Sequence, residues 1–274
     1  MRSLSIIVIS IGKSKKLTEL IKYLSINFDD EIILVDNSSD MILKDKYKRI
    51  KYIHESAAGS SSARNCGARY ASGDMLLFLD DDILPGKDFK SIINKYKMSD
   101  KLFGVVGGKV IANKIPDYIP QKYEYIVGSK NYGNHTRYLK KSESFGGCTM
   151  LILKKEFEKV GGFDISFGHL GETYGSNEDV LIQKKLKHLG LIYEPLLEVT
   201  HYWKGNINKV RDKIISQGYY DEKMDWKFSK ITHTLKLIKY HFYIIINKKQ
   251  DLQSKYDVMR YKAYVQSYKK RKNK

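Results

Sequence analysis

The sequence is poor in the residues that build disulfide scaffolds and membrane spans. Its 274 residues include only two cysteines, Cys66 and Cys148, which are too few for a disulfide framework and typical of a reducing compartment. No stretch approaches the roughly 18 apolar residues of a transmembrane helix. The apolar run over residues 4–9 is short and lacks a small-residue cleavage site, which favours a first strand over a signal peptide. We expect a cytoplasmic protein, with peripheral contact to the inner face of the cell membrane as an open alternative.

Acidic residues are also scarce relative to basic ones. The chain has 31 Asp and Glu against 49 Lys and Arg, a net charge of +18. This excess indicates an anionic partner: nucleic acid, a phosphorylated ligand or an acidic membrane surface. A hydrophobic content of 42% indicates a globular chain that is long enough to bury a good core.

Three of the few acids stand together after an apolar run. Residues 75–79 are too few for a stable helix and suit a strand buried on both faces, and Asp80, Asp81 and Asp82 follow directly. Ligands of open α/β sheets bind at the carboxyl ends of the strands. Three adjacent carboxylates repel one another unless a cation or a row of donors compensates them, and oxygen ligands suit Mg²⁺ or Mn²⁺. The alternative is a solvated acidic turn.

The order of apolar patterns predicts an α/β fold with a doubly wound, mainly parallel central sheet. Helices are expected over residues 15–26, briefly after Asp40, from the small-residue loop over residues 57–68, and from an N-cap at Ser176 or Asn177 through Leu189. Residues 116–137 fit no element well. The predicted strands span residues 5–10, 31–36, 50–54, 75–79, 103–111 and 144–153, with a last one ending near residue 203.

Four further positions carry side chains that could do chemistry. Asp36 ends a strand at the same sheet edge as Asp80, although capping a turn is an equal alternative. Arg64, at a small-residue helix start, could hold a phosphate or a base edge. The Glu178-Asp179 pair opens a helix, where a carboxylate stays ionised and can serve as general base or merely as a cap. His201 could be a metal ligand or a structural histidine.

Taken in order, these features resemble the inverting family 2 glycosyltransferases of the GT-A fold. The resemblance covers roughly residues 4 to 203 and implies a GT-A nucleotide-diphospho-sugar transferase fold. It divides the chain into a nucleotide-sugar-binding half over residues 1–115, an acceptor-binding half over 116–205 and a helical basic C-terminal extension over 206–274. The motifs that carry it are residues 5–9, 33–40, 62–67, 71–74, 78–82, 160–164, 178–179 and His201.

The resemblance also implies roles for individual residues. Asp36 would read the nucleotide base, usually uracil, and Arg64 would lie near the base and diphosphate. Asp179 would be the catalytic base, with Glu178 beside it shaping the acceptor site. Asp80 would lie nearer the ribose. The remaining assignments are Ser10 and Asp81 to the nucleotide-sugar, Asp82, Asp80 and His201 to Mn²⁺ or Mg²⁺, and Gly146 and Gly147 to the acceptor side.

We therefore expect a metal-dependent, inverting transfer of one sugar, most readily from a UDP-sugar, to a hydroxyl of a glycan or lipid-linked acceptor. Lys185 departs from the family pattern, which often has Arg there, and the Gln-any-any-Arg-Trp signature of processive synthases is absent. The alternatives are a non-enzymatic nucleic-acid-binding protein and another metal-dependent nucleotide-sugar or phosphoryl enzyme. Residues 114–142 and 168–176 are expected to form the pocket walls that select the sugar and the acceptor.

The C-terminal extension allows two interpretations. Residues 231–246 mix Lys with large apolar side chains, which predicts a helix packed on the catalytic core. The same pattern is also typical of an interfacial helix on anionic lipid, with added attraction from the five Lys and Arg among the last six residues.

Overall fold

The structure is a computed structural model that describes residues 1–47, 50–168, 175–247 and 251–272. Residues 169–174, part of the segment expected to line the acceptor pocket, lie outside the described residues, as do the last two residues of the basic tail.

The first half of the sheet is parallel, as the alternating pattern predicts. Its strands are β1 (Leu4–Ser10), β2 (Glu31–Asp36), β3 (Lys51–His54) and β4 (Met75–Asp80). In this register Ser10 pairs with Asp36, and Ile9 pairs with Asp80. The polar residues that end three strands therefore share one edge of the sheet.

The second half of the sheet mixes directions. It contains β5 (Ile83–Pro85), β6 (Val105–Ala112), β7 (Arg137–Tyr138), β8 (Thr149–Leu153) and β9 (Leu191–His201). Across the described chain the strand order is β3-β2-β1-β4-β8-β6-β9-β5, with β7 beside β9. β8 runs antiparallel to β4 and β6, while β6 and β9 are parallel. The predicted α/β class with a mainly parallel central sheet is confirmed.

Helices cover both faces of the sheet. They are α1 (Leu17–Asn27), α2 (Ser60–Tyr70), α3 (Phe89–Lys97), α4 (Lys154–Lys159) and α5 (Glu178–Leu186). Leu17, Leu20, Ile21 and Leu24 of α1 are buried, as their spacing predicts. Each such side chain stabilises the fold by roughly 1.5–3 kcal/mol. One core cluster contains α1 and α3, and another contains α2 and α5.

Two local predictions were wrong. The short helix expected after Asp40 is absent from the described residues between β2 and β3, where the chain forms turns. The strand expected from Ser144 begins at Thr149, because residues 144–147, including the Gly146-Gly147 pair, form a loop outside the sheet ladder.

Three long helices form the C-terminal part of the chain: α6 (Ile207–Phe228), α7 (Lys230–Ile246) and α8 (Leu252–Lys272). α6 and α8 pack against a 3₁₀ helix over Gln121–Val127, which lies in the segment that the sequence left unassigned. Among the described helices, none is both long and apolar enough to cross a bilayer. The shared core consists of Ile119, Tyr123, Ile126, Val127, Val210, Ile214 and Tyr256.

Candidate functional site

A cleft of about 1500 Å³ opens at the carboxyl ends of β1 and β4. It gathers nearly every candidate residue that the sequence indicated, although these residues lie up to 191 positions apart (201 − 10). The predicted residues that line it are Ser10, Arg64, Asp80, Asp81, Asp82, Gly146, Gly147, Glu178, Asp179 and His201.

Arg64 connects the acidic end of β4 to the start of α5. Its Nη2 donates to Asp80 Oδ1 at 2.8 Å, and its Nη1 donates to Glu178 Oε1 at 3.1 Å. Burial lowers the pKa of Arg64, but the Asp80 and Glu178 carboxylates raise that pKa by more, so the guanidinium stays charged. A buried cation with two carboxylate partners fixes the relative positions of those carboxylates.

Gly147 permits a close approach beside this ion pair. A side-chain carbon at Gly147 would lie 3.1 Å from Arg64 Nη2 and 3.5 Å from Asp179 Cβ. The carbonyl of Gly147 also accepts a hydrogen bond from Arg64 at 3.3 Å. The glycine therefore leaves room for the guanidinium and for the first turn of α5.

Asp82 and His201 form the second polar pair of the cleft. His201 Nε2 lies 3.4 Å from Asp82 Oδ2, and His201 Nδ1 lies 2.8 Å from the Val127 carbonyl oxygen. A carbonyl can only accept, so Nδ1 carries a proton and Nε2 faces the carboxylate. Burial lowers the pKa of His201, but Asp82 raises it above its ordinary value. Burial raises the pKa of Asp82, and the hydrogen bond from His201 outweighs that effect, so the pKa of Asp82 is lowered.

Asp81 points to the end of β1, where its carboxylate accepts a short hydrogen bond from the Ser10 hydroxyl. Burial, followed by the charges of Asp82 and Asp80, raises the pKa of Asp81 to about 7 although Ser10 opposes the shift. The three acids are therefore not equivalent. Asp80 is paired with Arg64, Asp82 faces His201, and Asp81 is the one in which the proton is stabilised.

Asp179 stands in the first turn of α5, where its Oδ1 accepts the Val180 N–H at 2.8 Å. Burial and the neighbouring charge of Glu178 raise the pKa of Asp179 to about 6, against the opposing charge of Lys130. A carboxylate with a pKa in this range ionises near neutral pH and has a stronger affinity for protons than a solvated one. Asp179 is therefore suited to accept a proton.

The residue before this pair has an unexpected conformation. Asn177 occupies the N-cap position of α5, one of the two positions predicted, but it has φ 70° and its side chain makes no cap hydrogen bond. A left-handed backbone at a residue other than glycine is uncommon and must be stabilised by its surroundings. The Asn177 side chain instead bonds to α6: its Oδ1 accepts from Gln217 at 2.6 Å, and its Nδ2 donates to Asp221 at 3.1 Å.

Asp36 lies outside the set of described residues that line the cleft. Its carboxylate is fully buried and accepts hydrogen bonds from the Ser38 backbone and hydroxyl, the Leu43 N–H at 3.0 Å and the Tyr52 hydroxyl at 3.1 Å. Burial raises the pKa of Asp36, and these donors together lower it below the ordinary value. This geometry is that of the turn-capping alternative. Recognition of a base by Asp36 stays a prediction, and it would require some of these bonds to be exchanged.

Two half-buried lysines of the cleft wall were missed by reasoning from the sequence. Lys130 Nζ donates to the carbonyls of Ser144 and Phe145 at 2.8 and 3.2 Å, and burial lowers its pKa against the charge of Asp179. Lys213 on α6 donates to the Ile126 carbonyl at 3.2 Å, and burial lowers its pKa against the charges of Asp82 and Asp80. A four-residue spacing on α6 was the available signal. It places on one helix face the cleft-lining residues Lys209, Lys213, Gln217 and Asp221.

Lys185, where the family pattern often has Arg, is not among the described residues that line the cleft and has a structural role. Its Nζ donates to the carbonyls of Val160 and Gly162 at 2.9 and 3.3 Å. Contacts that an Arg would make there are thus replaced by bonds to the Gly161-Gly162 turn. This turn also contacts α2, since Asn65 accepts from the Phe163 N–H at 2.9 Å.

The donor atoms fit a divalent cation without forming a complete site. In the described ranges, no three His, Cys, Asp or Glu side chains are close enough to hold a metal ion by themselves. The Asp82–His201 pair nevertheless offers an oxygen and a nitrogen ligand, and Val127 holds the far ring nitrogen as ligating histidines commonly require. Two protein ligands leave positions for ligand oxygens, which suits a cation that bridges protein and phosphate.

Comparisons with known proteins agree on one family. The sequence profile of "Glycosyl transferase family 2" matches residues 5–161, more than half of the chain. A glucosyl-dolichyl phosphate glucuronosyltransferase from Haloferax volcanii is 20% identical over 69% of this chain and 67% of its own length. An uncharacterized glycosyltransferase from Haemophilus influenzae is 30% identical over 61% of this chain, which spans 58% of that relative.

Solved structures share the fold at low identity. A Pyrobaculum calidifontis mannosyltransferase in complex with GDP-Man and Mn²⁺ aligns with a TM-score of 0.56 and 16% identity, covering 96% of this chain and 70% of the other. Staphylococcus aureus TarS 1-349 in complex with UDP-GlcNAc aligns with a TM-score of 0.58 and 16% identity, covering 98% and 92%.

Proposed function

The chain belongs to glycosyl transferase family 2, and from this we propose that it transfers a single sugar from a nucleotide-diphosphate sugar to an acceptor hydroxyl, with inversion and with a divalent cation. The observation that carries the proposal is the Arg64 bridge, 2.8 Å to Asp80 and 3.1 Å to Glu178. It holds the acidic motif at the end of β4 next to the helix start that contains Asp179.

We assign the donor end of the cleft to Asp80, Asp81, Asp82 and His201. Breaking a sugar–phosphate bond leaves negative charge on the departing diphosphate and positive charge on the anomeric carbon. A Mn²⁺ or Mg²⁺ ion held by Asp82 and His201 would supply Lewis acidity for the leaving group. Asp80 remains available to the ribose through the oxygen that Arg64 does not use.

Lys213 adds a cation from the C-terminal helices. Lys213 is half-buried; its ammonium faces the charges of Asp82 and Asp80 and makes a single hydrogen bond, to the Ile126 carbonyl, within the described chain. An ammonium has three donors, so two remain for another acceptor. We therefore assign Lys213 to the diphosphate of the donor, where its charge stabilises the leaving group.

Asp179 is assigned as general base. Its Oδ1 is engaged by the Val180 N–H, which leaves Oδ2 for the acceptor hydroxyl. Removal of that proton as the hydroxyl oxygen attacks the anomeric carbon gives a single displacement, and a single displacement inverts the anomeric centre. Lys130, half-buried in the cleft wall, favours the ionised form of Asp179.

A UDP-sugar and a lipid-linked or glycan acceptor are the substrates that we favour. The structural relatives include complexes with UDP-GlcNAc and with GDP-Man, so both nucleotides are candidates. The preference for UDP rests on the family resemblance, since the Asp36 carboxylate is occupied by donors of its own chain. The Haloferax volcanii relative is named for a glucosyl-dolichyl phosphate acceptor, which supports a lipid-linked saccharide here.

Calorimetry with UDP and GDP, each with and without Mn²⁺, tests the donor assignment. We expect binding that depends on Mn²⁺, followed by turnover in a screen of UDP- and GDP-sugars, with the product anomer determined by NMR coupling constants. A retained configuration would refute the single displacement. Absence of any nucleotide binding would reopen the nucleic-acid-binding alternative, which the family match does not support.

A further inference from the structure

Helix α7 presents an apolar stripe to solvent. Five apolar side chains of α7 occur at intervals of four, three, four and three residues, so they lie along one face of the helix. A contiguous patch of exposed apolar side chains is typical of a protein–protein or membrane interaction site. The five residues and their exposed fractions are Ile231 77%, Leu235 63%, Ile238 65%, Phe242 64% and Ile245 74%.

The opposite face of α7 is packed, which fixes the outward direction of the stripe. Leu237 is buried against α8 in a cluster with Tyr264 and Val265. Tyr240 stacks on Tyr261 of α8 with ring centroids 3.9 Å apart. One face of α7 therefore packs on α8 within the C-terminal helices instead of on the sheet, and the other face is exposed.

The charge around the stripe is entirely positive along α7 itself. Residues 230–246 contain Lys230, Lys236 and Lys239 and no Asp or Glu. The start of α7 also lies beside the end of α8, because Arg271 of α8 stacks over Trp226 at 3.8 Å and contacts His233. The last turn of α8 brings a basic cluster to this end of the stripe: Lys269, Lys270, Arg271 and Lys272.

The positive charge around the stripe distinguishes between two possible binding partners, a second copy of the chain and an anionic bilayer. A second copy bound stripe to stripe through a twofold axis would bring the same lysines towards each other, and that repulsion opposes dimerisation. An anionic bilayer offers acyl chains to the stripe and phosphate or carboxylate headgroups to the lysines. We propose that α7 lies in the plane of an anionic membrane surface, with its stripe inserted below the headgroups. This proposal is independent of the assigned reaction, although a lipid-linked acceptor would give it a use.

Vesicle sedimentation of the full chain tests this surface. We expect binding to vesicles of 70% phosphatidylcholine and 30% phosphatidylserine, weakened by salt and much weaker on pure phosphatidylcholine. The double variant Ile238→Asp/Phe242→Asp should bind at least about tenfold more weakly, because two large apolar groups can no longer insert. Lys230→Gln/Lys239→Gln should lower affinity and reduce its dependence on salt.

The matched control places the same charges on exposed apolar residues elsewhere. Ile26 and Met98 are 70% and 68% exposed, and Ile26→Asp/Met98→Asp should leave vesicle binding unchanged. Unaltered far-UV circular dichroism shows that each variant is folded. Equal binding by wild type and the α7 apolar variant would overturn the proposal. So would a concentration-dependent dimer in light scattering that this variant abolishes while vesicles bind neither protein.

Discussion

The side-chain nitrogen of Gln217 lies 2.6 Å from Oδ1 of Asn177, and this hydrogen bond ties α6 to the residue that precedes Glu178 and Asp179. Ser176 extends the connection by donating to Gln217 Oε1 at 2.7 Å, and Arg260 of α8 supports it through Asp221. The strained backbone of Asn177, which costs on the order of 1 kcal/mol or more, is held by this network. The C-terminal helices therefore position the start of α5.

Gln217→Leu should lower the transfer rate while leaving nucleotide binding intact. Without the bond to Asn177, the first turn of α5 loses its fixed direction, and a misplaced base costs roughly tenfold or more in kcat. The Kd for UDP with Mn²⁺ should change little, because none of the residues assigned to the donor lies on α5 and Lys213 keeps its own contact to the Ile126 carbonyl. Gln253→Leu, an exposed glutamine on α8, is the control. An equal loss of donor affinity would mean that Gln217 supports the whole cleft and not the base.

Asp179→Asn should reduce acceptor transfer by roughly 10²–10⁴-fold, the usual contribution of a positioned general base. The amide keeps the shape of the carboxylate but cannot take the proton. In wild type, kcat should fall as the pH decreases through about 6, because the base is protonated below the pKa of Asp179. The charge of the neighbouring Glu178 contributes to this raised pKa, so the observed midpoint depends on both carboxylates. If Asp179→Asn still shows the decrease in kcat at low pH, the general base is another group.

The same substitution should stabilise the fold at neutral pH. A pKa raised from the ordinary 3.8 to about 6 means that the folded state binds the proton more tightly than the unfolded state. The ionised Asp179 therefore destabilises the native state above pH 6 by on the order of 1–3 kcal/mol, and this penalty vanishes below pH 3.8. Chemical denaturation at pH 8 and pH 4 measures the difference. Equal stability of Asp179→Asn and wild type at pH 8 would contradict the raised pKa.

Metal removal should abolish turnover. EDTA should silence the wild type, with recovery on addition of Mn²⁺ or Mg²⁺, and Asp82→Asn should cut turnover by orders of magnitude with the fold intact. Asp74→Asn is a suitable control, because Asp74 is a distant carboxylate bonded to Ser3 at 2.8 Å. Full activity in EDTA would remove the metal from the mechanism.

Lys213→Met should weaken the binding of UDP but barely change that of UMP. The ammonium is assigned to the diphosphate, and losing a charge-assisted hydrogen bond to a phosphate oxygen costs roughly 1.5–3 kcal/mol, or about 10- to 100-fold in Kd. Arg211→Met removes a charge from the exposed face of the same helix and should leave both affinities unchanged. Titration calorimetry with each nucleotide and Mn²⁺ gives the comparison. An equal loss of affinity for UDP and UMP would mean that Lys213 supports the structure of the cleft and does not contact the diphosphate.

Sequence reasoning correctly predicts the strands, helices and sheet edge that depend on local patterns. The apolar run before Asp80 and the alternation of strands and helices are sufficient to place Asp80–Asp82 and Ser10 at one sheet edge, since parallel strands end together. The helix start at Glu178 also follows from its local pattern, although the conformation of Asn177 does not. That conformation depends on Gln217 and Asp221, which reach it from 40 and 44 residues away.

What the sequence could not predict depends on packing between distant segments. The donors that occupy the Asp36 carboxylate include Tyr52, 16 residues away, so its neighbours in sequence could not distinguish a capping residue from a base-reading one. The sequence alone does not distinguish Lys213 from the other lysines of α6. Its position in the cleft depends on the packing of α6 against the 3₁₀ helix over residues 121–127. The basic excess indicates an anionic partner, but only the fold shows which few charges enter the cleft.

Arg64 has a consequence for how the affinities of the two proposed substrates depend on each other. A single guanidinium touches Asp80 on the donor side and Glu178 on the acceptor side, so any ligand that draws Asp80 away from it also changes the electrostatic field at Glu178. Two sites that share one buried cation are thermodynamically linked, and the factor by which the donor alters acceptor affinity must equal the factor by which the acceptor alters donor affinity. With the roles that we propose for Asp80 and Glu178, cooperativity between the two substrates would follow from one side chain, without requiring any domain to move.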